Sequence, residues 1–329
     1  MRHSNLPAVA AAIILIAGAV APPVARSAAA EWAPAEKIML VTHATPGNSI
    51  DIFLRQIADI WTRQRMVPGG VSVENMVGAG GDKARRYVAI QSRGNNHVLF
   101  GFTPQMLIAP IRMRSDISSA SFAPIAMMTD EPTVLFVNAE TPYKSLKDLI
   151  AAAQQKPKGI LQGGGQFGGP PSLMGKMMGE EAKVEFAYTP FKTSGEGIVA
   201  LLGNHVHFVL EQVSEAEDHV KAGKLRILAT SRPLDAYPNV PSFEAQGLSF
   251  RQLSRFRGIM APPAIAPEAS AYYIRLLDRT RATPEWKEYV RKFALTEQWM
   301  TGAVLAGFLK EEEEIYRKLM VELGLMKAK

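Results

Sequence analysis

Three turns of small residues offer the clearest chemistry in this chain. They are Pro46-Gly47-Asn48-Ser49-Ile50-Asp51, Gly78-Ala79-Gly80-Gly81 and Gly163-Gly164-Gly165-Gln166-Phe167-Gly168, each near the junction of an apolar strand-like run and a helix-like run. Such a turn aims unpaired backbone N–H groups at whatever sits beyond the strand end. It binds anions without a charged side chain. Glycine permits positive φ and close approach of a ligand. Asp51 stands in the first helical turn, where a carboxylate stabilises exposed N–H groups. Three such turns in one chain indicate a receptor for a small acid rather than a catalyst.

Other chemistries find less support. Gly163-x-Gly165-x-x-Gly168 fits a dinucleotide fingerprint, with Glu185 farther along, but Pro170-Pro171 alters the helix start. The expected cofactor set is empty. There is no Gly-Lys-Ser/Thr phosphate loop and no Gly-x-Ser-x-Gly elbow. The absence of cysteine removes thiolate catalysis, disulfides and a lipid anchor on cysteine. A dispersed Ser-His-Asp set is spatial, and spacing does not test it. His205 and His207 share one face of an expected strand with Glu211, yet no third ligand follows at a metal spacing. No metal is expected. The 37 Lys and Arg are interspersed with 31 Asp and Glu and form no basic stripe, so nucleic acid is not an expected partner.

The elements that must hold these turns alternate. Strands are predicted at 37–42, 71–74, 98–102, 123–127, 134–137, 160–162, 185–188, 206–210 and 226–230, by short apolar runs bounded by turn residues. Helices are predicted at 50–65, 83–91, 146–155, 172–181, 196–202 and 215–222. Ile50, Phe53, Leu54, Ile57, Ile60 and Trp61 make one apolar stripe, and Ser145 with Asp148 makes a helix start. The alternation predicts parallel α/β sheets. The stretch 233–241 is punctuated by proline and read as irregular. From Pro267 onward the chain reads as mainly helical, with Glu311–Glu314 on a solvated face.

The N-terminus has Arg2 and His3, then uncharged Ala8–Ala21, then Ser27-Ala28-Ala29-Ala30. That is the layout of a secretory signal, and the apolar run is short for a membrane span. Cleavage near Ala30 is expected, with a periplasmic product. Removal of residues 1–30 takes Arg2 and Arg26 and lowers the formal charge from +6 to +4.

Several segments together resemble one family. His43-Ala44-Thr45-Pro46-Gly47-Asn48-Ser49-Ile50-Asp51 is similar to a Pro-Gly-Gly-Gly-x-Asp loop, and Glu74-Asn75-Met76-Val77-Gly78-Ala79-Gly80-Gly81 to Glu-Asn-x-x-Gly-x-Gly-Gly. Thr189-Pro190-Phe191-Lys192-Thr193-Ser194-Gly195-Glu196, Lys221–Arg226 and Pro238–Phe243 also match in order and spacing. The family is that of the extracytoplasmic solute-binding proteins of tripartite tricarboxylate transporters, the TctC/Bug family, and the likeness runs from about Lys37 to Leu323.

The resemblance implies an α/β, two-lobed periplasmic binding protein of type II-like form, with the ligand cleft between lobes. Residues 1–30 would be the signal peptide, 31–133 plus 254–329 one lobe, and 134–253 the other. It implies no enzyme activity, a small carboxylate ligand, a membrane permease of the tripartite tricarboxylate type as partner, and a monomer. From the first lobe, Thr45, Pro46, Gly47, Asn48 and Ser49 would face the ligand, joined by Gly80, Thr103 and Gln105. Gly165, Gln166, Gly168, Ser172, Thr193, Ser194 and Gln212 would close from the other side, and Asp51 would order the first helix start. Asn48 and Ser49 stand for two family glycines. His207 stands for a usual Asp, and Glu211-Gln212 for a small residue and Asn. Glu211 is the odd charge in this cleft. A receptor that presents its liganded form to a sensor kinase, and an exported enzyme, are the alternative readings.

Overall fold

The computed structural model describes Met1 and residues Trp32–Lys327. The expected signal segment lies outside the described residues.

The chain begins with β1 (Ile38–Thr42), α1 (Ser49–Arg63), β2 (Val71–Asn75) and α2 (Asp82–Arg86), whose end continues as a π-helical turn over Tyr87–Gln91. Next come β3 (Val98–Phe102), α3 (Gln105–Met113), β4 (Ala123–Asp130) and β5 (Thr133–Asn138). Then follow α4 (Leu146–Gln155), β6 (Leu161–Gly164), α5 (Pro170–Ala182), β7 (Ala187–Pro190), α6 (Ser194–Leu202), β8 (Phe208–Gln212), α7 (Val213–Lys221) and β9 (Leu225–Thr230). The chain ends with β10 (Phe256–Ala261), α8 (Pro267–Arg281), α9 (Pro284–Lys292), β11 (Thr296–Thr301) and α10 (Gly302–Glu322). None of the described helices is long and apolar enough to cross a membrane.

Two sheets form. The first has strand order β11-β4-β10-β3-β1-β2, the second β7-β6-β8-β5-β9. The expectation of parallel sheets holds only in part. β1 runs parallel to β2 and β3, and β6 runs parallel to β7 and β8. β10 is antiparallel to both β3 and β4, β11 to β4, and β5 to β8 and β9. The reason is connectivity. The chain passes from β4 straight into β5 across Glu131-Pro132 and returns as β10 into the middle of the first sheet, so each sheet contains strands of both senses.

Local signals explain the elements that were foreseen. Asn48 caps α1 by accepting from the Ile50 N–H at 3.3 Å, and the stripe from Ile50 to Trp61 is buried against the first sheet. Trp61 Nε1 donates to Thr280 Oγ1 at 2.7 Å and ties α1 to α8 inside that core. Ser145 and Asp148 form the reciprocal capping box of α4. Pro170-Pro171 occupies the first turn of α5, where missing N–H groups cost nothing.

Three elements were not anticipated. α3 carries Pro110 within it. β11 lies at the sheet edge with polar Thr296, Glu297 and Gln298, where the sequence suggested helix. β10 was obscured by Arg255 and Arg257 on either side of Phe256, although every residue of the strand is buried. Sheet pairing across the whole chain, rather than local propensity, decides β10 and β11.

Candidate functional site

A cleft of about 410 Å³ opens where helix starts from both sheets converge. Its walls include Asn48 and Ser49 at the start of α1, and Thr103, Pro104 and Gln105 at the start of α3. Gly169 and Pro170 contribute from the start of α5, and Thr193 and Ser194 from the start of α6. Each helix directs its orphan N–H groups and its positive dipole end toward the N-terminal opening. Four such ends around one cavity favour an anion.

The turn at 78–81 adds to this. Gly78, Ala79, Gly80 and Gly81 all have positive φ, at 141°, 47°, 59° and 89°. This run lines the cleft, and Arg85 holds it by donating from Nη1 to the Gly80 carbonyl at 3.2 Å. From the opposite wall, Gln166 Oε1 accepts from Gln105 Nε2 at 3.3 Å, which joins the two sides of the cleft.

Of the residues singled out from sequence, Thr45, Asn48, Ser49, Gly80, Thr103, Gln105, Gly165, Gln166, Thr193, Ser194 and Gln212 line this cavity. Pro46, Gly47, Asp51, Gly168, Ser172 and Glu211 do not line it. Asp51 is buried behind the first turn. It accepts from the Gly47 N–H at 2.8 Å, from Arg55 Nε at 2.9 Å and from Asn75 Nδ2 at 2.9 Å. Burial pushes its carboxyl upward, but Arg55, Gly47 and Asn75 together outweigh this and hold it below the usual range. Gly168 has φ +78° and packs toward Arg112, and Ser172 is buried inside α5.

Gly47 has φ +82° and open space where a Cβ would stand. The position therefore needs glycine for its backbone angle and not for room. Gly47→Val is expected to lower stability by about 1–2 kcal/mol in urea unfolding, the cost of a left-handed conformation for an L side chain. An unchanged midpoint would show that the turn relaxes without it.

The grouping of His205, His207 and Glu211 on one strand face is corrected. β8 starts at Phe208 and is buried on both faces, so strand alternation does not sort it. His205 is exposed, and His207 Nδ1 accepts from the Leu161 N–H at 2.9 Å. Glu211 lies behind the wall, 0% exposed, with Oε2 accepting from Arg255 Nη2 at 3.1 Å.

The floor of the cleft was missed. Arg255 and Arg257 line it together with Glu215 of α7. Arg257 Nη2 donates to Glu131 Oε2 at 2.7 Å and also to Ser49 Oγ, while its Nη1 donates to the carbonyls of Arg255 and Phe256. The Ser49 hydroxyl in turn donates to Glu215, and Asn48 Nδ2 approaches Glu215 Oε1 at 3.4 Å. Burial raises the carboxyls of Glu131 and Glu211 despite their arginines. Burial, then the nearby Glu211, pushes Glu215 up to about 7, against the pull of Arg255 and Arg257. His43, also in the wall, is lowered to about 4 by burial and by Arg85 and Arg257, so it is neutral at pH 7. Two arginines flanking one phenylalanine, just before an apolar run, were the available signal. A buried strand carries such charges only when they are paired or functional.

No group of three or more metal-ligating side chains occurs among the described residues. The arrangement holds and orients a solute. It has donors on the walls and a network of three carboxylates and two guanidinium groups on the floor.

Comparison with known proteins gives a consistent picture. Residues 53–325 match the model of the tripartite tricarboxylate transporter family receptor. The protein BugT of Bordetella pertussis is 25% identical over 335 residues, covering 98% of this chain and 99% of that protein. MatC from Rhodopseudomonas palustris, solved with bound malate, superposes with a TM-score of 0.74 at 19% identity, over 87% of this chain and 99% of that one. A second R. palustris protein, solved with adipate, gives a TM-score of 0.81 at 20% identity, over 88% and 98% of the two chains. These structures share the fold of this chain, an α/β two-lobed periplasmic binding protein.

Proposed function

The chain belongs to the tripartite tricarboxylate transporter receptor family, whose members are solute-binding proteins and not enzymes, and from that premise we propose that it captures a small organic acid in the periplasm and delivers it to a membrane permease of the tripartite tricarboxylate type. The observation that carries this is the convergence of four helix starts and the positive-φ turn 78–81 on one cavity. Such an arrangement solvates a carboxylate with oriented dipoles at little reorganisation cost. The malate and adipate in the two similar structures support the same ligand class.

In this reading the working protein is a monomer, freed of its signal peptide near Ala30. Its lobes are 31–133 plus 254–329, and 134–253. They move about the two crossings, at 131–133 and 231–255. The Gln105–Gln166 and Asn48–Glu215 contacts across the cleft would re-form on each closure.

A thermal-shift screen of mono-, di- and tricarboxylates, malate and adipate included, tests the reading. A ligand present at one hundred times its dissociation constant adds about 2.7 kcal/mol of stability and a clear rise in melting temperature. The same ligand should give a smaller radius of gyration by X-ray scattering. A panel in which no carboxylate moves the melting temperature would overturn the proposal.

A further inference from the structure

The cleft floor contains three carboxylates and two guanidinium groups, and they do not pair evenly. Arg255 is committed to Glu211 at 3.1 Å and Arg257 to Glu131 at 2.7 Å. Glu215 remains. Among the described residues it forms no ion pair, and its neighbours within hydrogen-bond reach are the neutral Asn48 and Ser49. One turn earlier, Gln212 also lines the cleft. It is 2% exposed, and its side-chain oxygen has no hydrogen-bond partner. The floor thus presents two adjacent acceptors, one of them a carboxylate; Arg255 Nη1 and Arg257 Nε there are also without a hydrogen-bond partner, so what the floor lacks is one cation against its third carboxylate and not N–H donors in general. A buried acceptor left unpaired is costly, and a site built around one selects a ligand that supplies the donor.

We infer that the solute carries a protonated amine in addition to its carboxylate, and that Glu215 and Gln212 receive that amine. The inference rests on the carboxylate reading above and narrows it from organic acids in general to amino acids. A second carboxylate of the solute at this position would face Glu215 directly. The arginines would offset that only in part, because each already has its own buried partner.

The charged groups facing Glu215 set the pH behaviour. They are Glu211 from β8, Glu131 from the β4–β5 crossing, and Arg255 and Arg257 at β10. In the solute-free protein Glu215 takes up its proton near pH 7. Ionisation of Glu215 adds one negative charge to the floor that faces an amine, and protonation removes it. Affinity for a cationic group therefore rises with pH through this range, while affinity for a diacid falls.

The test is calorimetry on the purified chain with length-matched sets: monocarboxylates, α,ω-diacids, and α- and ω-amino acids of three to six carbons. At about pH 8 the best amino acid should bind wild type about tenfold tighter than the monocarboxylate and the diacid of equal length. That preference should shrink severalfold at about pH 6. In Glu215→Gln the preference should fall to within about threefold at either pH, because the charge is gone. Thermal melts without ligand would establish that the variant is folded, and the wild-type comparison stands without it. A diacid or monocarboxylate that equals every amino acid at about pH 8 in wild type would overturn the inference and leave the carboxylate reading intact. Absence of binding by all three sets would overturn the inference, and the carboxylate reading falls with it only if the wider thermal-shift panel also gives no ligand.

Discussion

Replacing Arg257 with methionine is expected to cost about 3–5 kcal/mol of folding stability near neutral pH, because it strands a buried carboxylate. Arg257 is 2% exposed and its partner Glu131 is also 2% exposed. With the guanidinium removed, Glu131 would keep the Ser214 hydroxyl, at 3.4 Å, and the weaker pull of the Arg255 charge. The loss should depend on pH in a defined direction. Burial already holds the Glu131 carboxyl above its ordinary value, and losing Arg257, which lowers it, moves it higher still. A carboxyl raised in the folded state keeps a proton that the unfolded chain has released. Stability then falls as pH rises from the unfolded value toward the folded one, and it recovers as pH is lowered. The deficit of Arg257→Met should therefore shrink between about pH 8 and about pH 5. The double variant Arg257→Met/Glu131→Gln should lose less than the sum of its parts, since the stranded charge is gone. Urea unfolding of the three variants at both pH values decides this. Additive losses with no dependence on pH would mean that the pair is solvated after all.

Gly258→Ala should be nearly as damaging, for a steric reason. A Cβ at this position would stand 2.3 Å from Phe102 Cε1 and 2.4 Å from the Ala126 carbonyl oxygen. The ring could rotate, but the carbonyl belongs to β4 and is held by the sheet. Overpacking of this kind costs about 3 kcal/mol. It would also displace the strand segment next to Arg255 and Arg257, so solute affinity should fall with stability. Gly307→Ala is the control. It lies within α10 with nothing within 4 Å of its Cβ position. There the exchange should add about 0.5–1 kcal/mol, the ordinary advantage of alanine in a helix. Thermal unfolding should move in opposite directions for the two alanines. A neutral Gly258→Ala would show that the sheet yields locally.

The residues that could be read from sequence were those whose role is local. Gly80 needs its backbone angle and announces itself through a short small-residue pattern next to an apolar run, whereas Asn48 and Thr193, read from sequence only as facing the ligand, cap helices as well. The stripe of α1 and the capping box of α4 were legible for the same reason. The floor was not legible, because Arg255, Arg257, Glu131 and Glu215 come from distant stretches and meet only after two sheets have formed. Glu211 shows the limit most clearly. Alternation grouped it with His205 and His207, but β8 is buried on both sides and the side chain pairs with Arg255, the residue before β10. The mixed strand directions were hidden likewise, since helix–strand alternation does not reveal that the chain leaves one sheet and later returns to it.

That return has a bearing on the order in which the molecule can be made. β10 lies between β3 and β4, so the first sheet has a gap at its centre until residues 256–261 arrive. A nascent or threading chain that has delivered every strand of the second sheet still has an interrupted first one. Folding of the first half must await a segment far along the sequence, and late pairing of this kind is slow. The same segment, with the residue before it, brings Arg255 and Arg257. Sheet closure and completion of the binding floor are thus a single event in time, and no partly made chain can present the finished site.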